Sequence, residues 1–259
     1  AMPVTPVAPV APGRPAPHVA AALAVAAIAF TCYTPTLRFG FVTWDDNLNI
    51  TENPFLNPPS LAGIARLWVQ PYGDLYVPLV YTTYAVEVLL AAGKPWIFHL
   101  TNVFLHAISS VVVLLLLRTL VPDLAAACAA ALLFALHPVQ VEAVAWATGR
   151  KDLLCGLFWL VALYEYARWR QVGGMRRYVL STMSLLLALF AKPTAAAAPL
   201  MAMAMDRWAF RCNWKNALRA AIPWLALAAL WTVMTSRAQP ISRSVGLHMR
   251  PFVAGDALV

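Results

Sequence analysis

The 259-residue chain is 61% hydrophobic and 12% charged, with a formal net charge of +8. Soluble domains carry roughly a quarter of their residues charged, so this composition excludes an ordinary soluble domain and indicates an integral membrane protein. The bases are strung between apolar segments instead of forming one aromatic-interleaved patch, which argues against a nucleic-acid partner. The four cysteines, Cys32, Cys128, Cys155 and Cys212, are widely separated without CxxC or metal-type spacing and read as small core residues.

In chain order, residues 1–17 are rich in Pro and Ala and read as a disordered tail. Val19 to Leu37 is almost wholly apolar, long enough to cross a hydrocarbon core of about 30 Å, and has no signal-type cleavage site before Arg38. It reads as a first transmembrane helix with its N-terminus inside. Arg38 to Leu75 is polar, with an amphipathic piece, Leu61 to Val69, that carries Trp68 near its end as membrane-surface helices do. Tyr76 to Ala92 is apolar but contains Pro78, Glu87 and the hydroxyls of Tyr81 to Tyr84. Six further apolar segments follow: Ile97 to Leu117, Leu124 to Leu136, Leu153 to Trp169, Tyr178 to Ala191, Thr194 to Met205 and Ala217 to Thr235.

Charge decides the topology. If Tyr76 to Ala92 lies on the surface, seven helices span, and one side collects 10 of the 19 bases with 3 of the 11 acids, as the positive-inside rule expects of the cytoplasmic side. Letting that segment span would move both Arg-rich loops, Arg168 to Arg177 and Arg207 to Arg219, outside. The expected fold class is therefore all-α, a polytopic bundle of about seven transmembrane helices whose large first outer loop contains a surface helix. Asp45, Asp46, Glu142, Arg150, Lys151 and Asp152 then share the non-cytoplasmic compartment.

The stretch FVTWDDNLNITENP, residues 41–54, concentrates polar groups in an apolar chain. The stretch HPVQVEAVAWATGRKD, residues 137–152, brings Glu142, Arg150, Lys151 and Asp152 to the same side. Cations at a membrane surface can hold a lipid phosphate, while a carboxylate takes the proton of an acceptor hydroxyl. The plainer reading of the second stretch is a turn in which Asp152 favours the start of the next helix. His99, Asn102 and His106 fall at i, i+3 and i+7, within about 60° on one helical face, and either support the site or hydrogen-bond between helices. Lys192, before Pro193, can touch a phosphate or snorkel. Asp45 and Asp46 also form a candidate site for a divalent metal, although adjacent side chains often point apart.

WDDNLNITENPFLN, FHLTNVFLHAISS, LFALHPVQVEAVAWATGRKDLLCGLFWLVALY and FAKPT, in this order and spacing, resemble the membrane domain of the transmembrane and tetratricopeptide-repeat O-mannosyltransferase family and its bacterial relatives, within the GT-C glycosyltransferase superfamily. The resemblance runs from about Phe39 to Asp256. It implies a first helix followed by a large outer loop with an acidic motif and a membrane-surface helix. It also implies inverting transfer of a mannose-like sugar from a polyprenyl-phosphate donor to a protein or glycan hydroxyl outside the cytoplasm. Asp45 or Asp46 would match the catalytic acidic motif and serve as general base. Arg150, Lys151 and Lys192 would neutralise the departing lipid phosphate, with Glu142 and Asp152 orienting them.

Family members continue into further helices and 34-residue repeats that this sequence lacks, so residues 18–259 read as the N-terminal part of such a membrane domain. The composition suggests a bacterial inner membrane with the active loops in the periplasm. Two other readings remain beside the glycosyltransferase: a polytopic transporter or lipid-handling protein, and a non-catalytic membrane assembly protein.

Overall fold

The computed structural model describes residues 17–73 and 75–238; the expected N-terminal tail and the end of the resemblance beyond residue 238 lie outside the described residues. The described chain is all-α, with ten α-helices and no strand. In order these are α1 (Pro17–Tyr33), α2 (Leu61–Val69), α3 (Pro78–Ala91), α4 (Pro95–Leu120), α5 (Leu124–Leu136), α6 (Gln140–Ala145), α7 (Arg150–Val172), α8 (Met175–Ala191), α9 (Ala198–Trp208) and α10 (Trp214–Ala238).

Local chemistry sets the boundaries. Proline opens α3 and α4 at a position that needs no N–H, and Pro193 stops the helix that ends at Ala191. Ser60 caps α2 by accepting the Gly63 N–H at 3.0 Å, and Asp123 caps α5 by accepting that of Ala126 at 2.6 Å. Arg118 turns back on its own helix end and donates to the carbonyls of Val121 and Pro122. The Gly173–Gly174 pair, with φ of 71° and 91°, reverses the chain between α7 and α8 in a conformation that side chains resist.

α1, α4 and α5 meet through the small residues Ala29, Ala107 and Ala135, which let the backbones approach closely. α7 and α8 pair along their length, tied by Ser181 Oγ donating to the Ala162 carbonyl at 2.8 Å. Phe98, Leu154, Leu163, Leu185 and Leu189 belong to the main core.

The bundle has two ends. At one, α4 and α7 begin and α3 joins them, since Tyr84 reaches the Ala147 carbonyl and Glu87 meets Arg150. At the other, α4 and α7 finish, joined by Gln171 donating to the Thr119 carbonyl at 2.6 Å. Among the described residues, the polar contacts of α3 to other elements lie at the first end.

Leu61–Val69 and Leu124–Leu136 are helical over the bounds read from sequence. Of the seven segments expected to span, three form helices both long and apolar enough to cross a membrane: Pro17–Arg38, Pro95–Leu120 and Trp214–Arg237. α5 and α9, at 13 and 11 residues, fall short of the roughly 20 residues a 30 Å core requires. The linker after His137 is also not a plain loop, because it folds into α6 and a 3-10 turn, Ala147–Gly149.

Candidate active site

The first loop is fastened to the start of α7 through its two adjacent aspartates, which act differently. Asp46 is fully buried; its Oδ2 accepts the Val42 N–H at 2.9 Å and its Oδ1 accepts the Thr148 N–H at 3.1 Å. It joins two chain segments 102 residues apart. Asp45 points the other way, is part-exposed, and meets Lys151 Nζ at 3.2 Å. The two carboxylates therefore take separate partners, Asp46 two backbone N–H groups and Asp45 an ammonium. Among the described residues no group of three His, Cys, Asp or Glu is placed to hold a metal ion.

Around Asp46 the loop is stitched by amides. Asn49 donates to the Asp45 carbonyl at 2.9 Å and accepts the Tyr81 hydroxyl at 2.8 Å, and Asn57 donates to the Ile50 carbonyl at 2.6 Å. This is where the asparagines of NLNITENPFLN go: they close a compact loop, a short π-turn at Asn47–Thr51 included.

Arg150 departs most from expectation. The sequence offers it to the lipid phosphate, yet its side chain is wholly buried and each of its three nitrogens has a partner inside the protein. Nη1 pairs with Glu87 at 2.8 Å and reaches Thr83 Oγ1 at 3.1 Å; Nε donates to Asn102 Oδ1 at 2.5 Å; Nη2 donates to the Phe98 carbonyl at 2.8 Å. A buried guanidinium needs such partners because desolvation costs it several kcal/mol, on the order of 5. Arg150 is thus the internal tie between α3, α4 and α7. Burial pushes the Glu87 carboxyl above its usual range and the Arg150 charge opposes that rise. Burial likewise raises the hydroxyls of Tyr81 and Tyr84.

Of the polar face on α4, Asn102 serves this knot, its amide donating to the Trp146 carbonyl at 2.7 Å. His106 sits 2.8 Å from the Ala135 carbonyl and packs against Phe134 and Tyr33. His99 is buried edge-on to Phe39, with neither ring nitrogen hydrogen-bonded. All three face inward as the spacing predicted, and the contacts of Asn102 and His106 join helices.

The remaining charges gather around a cavity. Lys151 lies over the Trp146 ring, 5.7 Å from its centre, and pairs with Asp45; Lys192 pairs with Asp152. Lys151, Lys192, Asp152, Glu142, Gln140 and Trp146 line a polar pocket of about 470 Å³. Asp152, Gln140 and Ala143 also line an apolar groove of about 500 Å³ that runs between α4 and α7 past Gly156 and Trp159 to Leu116, Leu120 and Met205. The polar pocket and the groove therefore meet along α6. That helix is pressed against the turn before α7 at Gly149, where an added Cβ would stand 2.3 Å from the Ala143 carbonyl.

Of the expected residues, Glu142, Lys151, Asp152 and Lys192 line one pocket, Asp45 reaches it through its pair with Lys151, and Asp46 and Arg150 are buried in the scaffold. Glu87, Trp146 and Thr148 were not anticipated as part of this region. An acid inside an apolar segment was the signal for Glu87; nothing in the sequence marks the Thr148 N–H.

No family model and no solved structure matches this chain. Curated relatives do. Protein O-mannosyl-transferase Tmtc2 of Drosophila melanogaster is 33% identical over 199 residues, which is 71% of this chain and 21% of that protein. Protein O-mannosyl-transferase TMTC1 of Homo sapiens is 35% identical over 183 residues, 66% of this chain and 21% of the relative. Protein O-mannosyl-transferase TMTC4 of Homo sapiens is 31% identical over 192 residues, 66% of this chain and 26% of the relative.

The chain belongs to the TMTC protein O-mannosyl-transferase family.

It spans about a fifth to a quarter of the length of these curated relatives. For a TMTC-family chain, the pocket at the start of α7 is the natural candidate for chemistry, since it alone among the cavities described here joins several part-exposed charges to an apolar groove.

Proposed function

We propose that this chain contributes the donor site and general base of a membrane glycosyltransferase, which moves a mannose-like sugar from a polyprenyl phosphate to a hydroxyl acceptor on the non-cytoplasmic side. The observation that carries this reading is the junction of pocket and groove: a polar pocket that presents two lysines shares Gln140, Ala143 and Asp152 with an apolar channel of about 500 Å³. An amphiphile with an anionic head and hydrocarbon tail matches both halves, the phosphate on Lys151 and Lys192 and the lipid along Leu116, Trp159 and Leu163.

In the transfer, the acceptor oxygen attacks the anomeric carbon from the face opposite the phosphate. The carbon–oxygen bond to the lipid phosphate breaks, and its electron pair stays on the phosphate oxygen beside the two lysines. The hydroxyl proton passes to a carboxylate, for which Asp45 is the candidate because Asp46 already accepts two backbone N–H groups. Lys151 pairs with Asp45 at 3.2 Å. A phosphate that draws Lys151 away frees the Asp45 carboxylate to accept the hydroxyl proton, so donor binding arms the site. Glu142 and Asp152 stand at the same pocket and orient the lysines or the acceptor.

Transfer of labelled mannose from a polyprenyl phosphate, read together with donor binding, tests this. Asp45→Asn is expected to lower transfer by about 10²–10⁴-fold with donor binding kept. Lys151→Met with Lys192→Met is expected to weaken binding of polyprenyl phosphate by about 10-fold or more. Unchanged transfer in Asp45→Asn would end the assignment.

A further inference from the structure

At the bundle end away from the pocket, the acids are already engaged. Asp206 is fully buried, accepting the Tyr166 hydroxyl at 2.7 Å and Arg170 Nε at 2.6 Å. Glu165 pairs with Arg177 at 2.8 Å, and Asp123 caps α5. Five cations at this end, Arg176, Arg207, Arg211, Lys215 and Arg219, are exposed and have no ion-pair partner among the described residues.

They come from separate parts of the chain: the start of α8, the end of α9 with the turn after it, and the start of α10. Packing brings these together. The Tyr178 hydroxyl on α8 donates to the Ala220 carbonyl on α10 at 2.9 Å, Asp206 on α9 joins Arg170 on α7, and α7 pairs with α8. One cationic surface results, with no acid in it to answer the charge.

The same surface exposes two large indoles, Trp208 at 72% and Trp214 at 55%. Bare indoles beside bare cations suit neither water nor hydrocarbon. They suit the headgroup layer of a bilayer, where phosphates meet the cations and the rings sit at the water boundary. Depth agrees with this, because α10 is one of the three helices able to cross a membrane and it begins at Trp214.

We propose that Arg176, Arg207, Arg211, Lys215 and Arg219, flanked by Trp208 and Trp214, form a binding surface for anionic phospholipid headgroups in the leaflet at this end. A nucleic acid would use the same charges, but the helix that starts within the surface holds it at headgroup depth, beside lipid phosphates. The surface stands apart from the transferase pocket and does not depend on that chemistry.

The full chain, purified in detergent and equilibrated with mixed micelles of phosphatidylglycerol and phosphatidylcholine, is weighed with its retained lipids by native mass spectrometry. Phosphatidylglycerol is expected to be retained over phosphatidylcholine by more than about fivefold, the worth of a single cation–headgroup contact. The preference narrows as salt rises, because surface charges are screened. With all five cations changed to Gln, the two lipids are retained alike. Thermal unfolding in phosphatidylcholine micelles shows whether that variant is folded. If it is not, Lys215→Gln/Arg219→Gln is read instead, with the preference falling by about twofold or more. Equal retention by the unaltered chain, an undiminished preference in a folded variant, or displacement of the lipid by an equimolar oligonucleotide overturns the proposal.

Discussion

Where α4 and α7 begin, the pairs Asp45–Lys151 and Asp152–Lys192 stand part-exposed around a cavity, with side chains between 21% and 42% accessible. Where α7 finishes, Asp206 is sealed between Tyr166 and Arg170, and the leftover cations turn outward. Both ends hold acids and bases in close contact, yet the pocket pairs are accessible enough to change partners while Asp206 is not. A part-exposed pair is worth about 0–1 kcal/mol, so an arriving phosphate can displace a carboxylate cheaply. A sealed pair that loses one member strands a buried charge, at about 3–5 kcal/mol. Accessibility, more than charge count, separates chemistry from scaffold in this molecule.

The sharpest test of that division lies directly under the pocket. Arg150→Met strands Glu87 and unpairs Asn102, and is expected to cost about 3–5 kcal/mol in thermal unfolding at neutral pH. Its pH dependence has a definite sign. Burial already raises the Glu87 carboxyl and Arg150 restrains it, so without Arg150 the folded chain takes up this proton at a higher pH than the unfolded chain does. The variant therefore regains stability as pH falls through the folded-state value, and the gain levels off below the unfolded value. Adding Glu87→Gln should recover part of the loss at neutral pH. A variant equally unstable at every pH would place the cost elsewhere.

At the other end, Asp206→Asn should cost a comparable few kcal/mol, about 3, by leaving Arg170 without its charged partner. Donor affinity per folded molecule should stay unchanged. A shift in that affinity would couple the two ends and break the comparison.

Gly149→Ala is expected to destabilise by about 1–3 kcal/mol, because the new methyl meets the Ala143 carbonyl and α6 must move. As α6 lines both the pocket and the groove, donor binding should weaken alongside. The smallest effect on stability is expected at the pocket itself. Asp45→Asn should change unfolding by less than about 1 kcal/mol while removing most transfer. A large loss of stability there would mean that Asp45 is scaffold like Asp46.

Much of this was legible in sequence for physical reasons. Apolar length and prolines marked the helices, and the amphipathic run Leu61 to Val69 has its observed bounds. The concentration of charge in an apolar chain marked both polar stretches, and Asp45 and Lys151, one from each stretch, meet in the fold. What sequence could not convey was direction. Asp45 and Asp46 are neighbours whose side chains diverge, and Arg150 and Lys151 diverge likewise, one into the core and one into the pocket. Only tertiary contacts with Thr148, Glu87 and Asn102 decide which is which. α6 escaped notice because six residues after a His-Pro step are too few to display a period.

The buried carboxylate of Asp46 also orders events in time. It needs the Thr148 N–H, and residue 148 is synthesised 102 residues after it. At about 5–20 residues per second, that interval is roughly 5–20 s. Through all of it Asp46 is without one of its two backbone donors, so the first loop can take its final form only after the turn that begins α7 has been made.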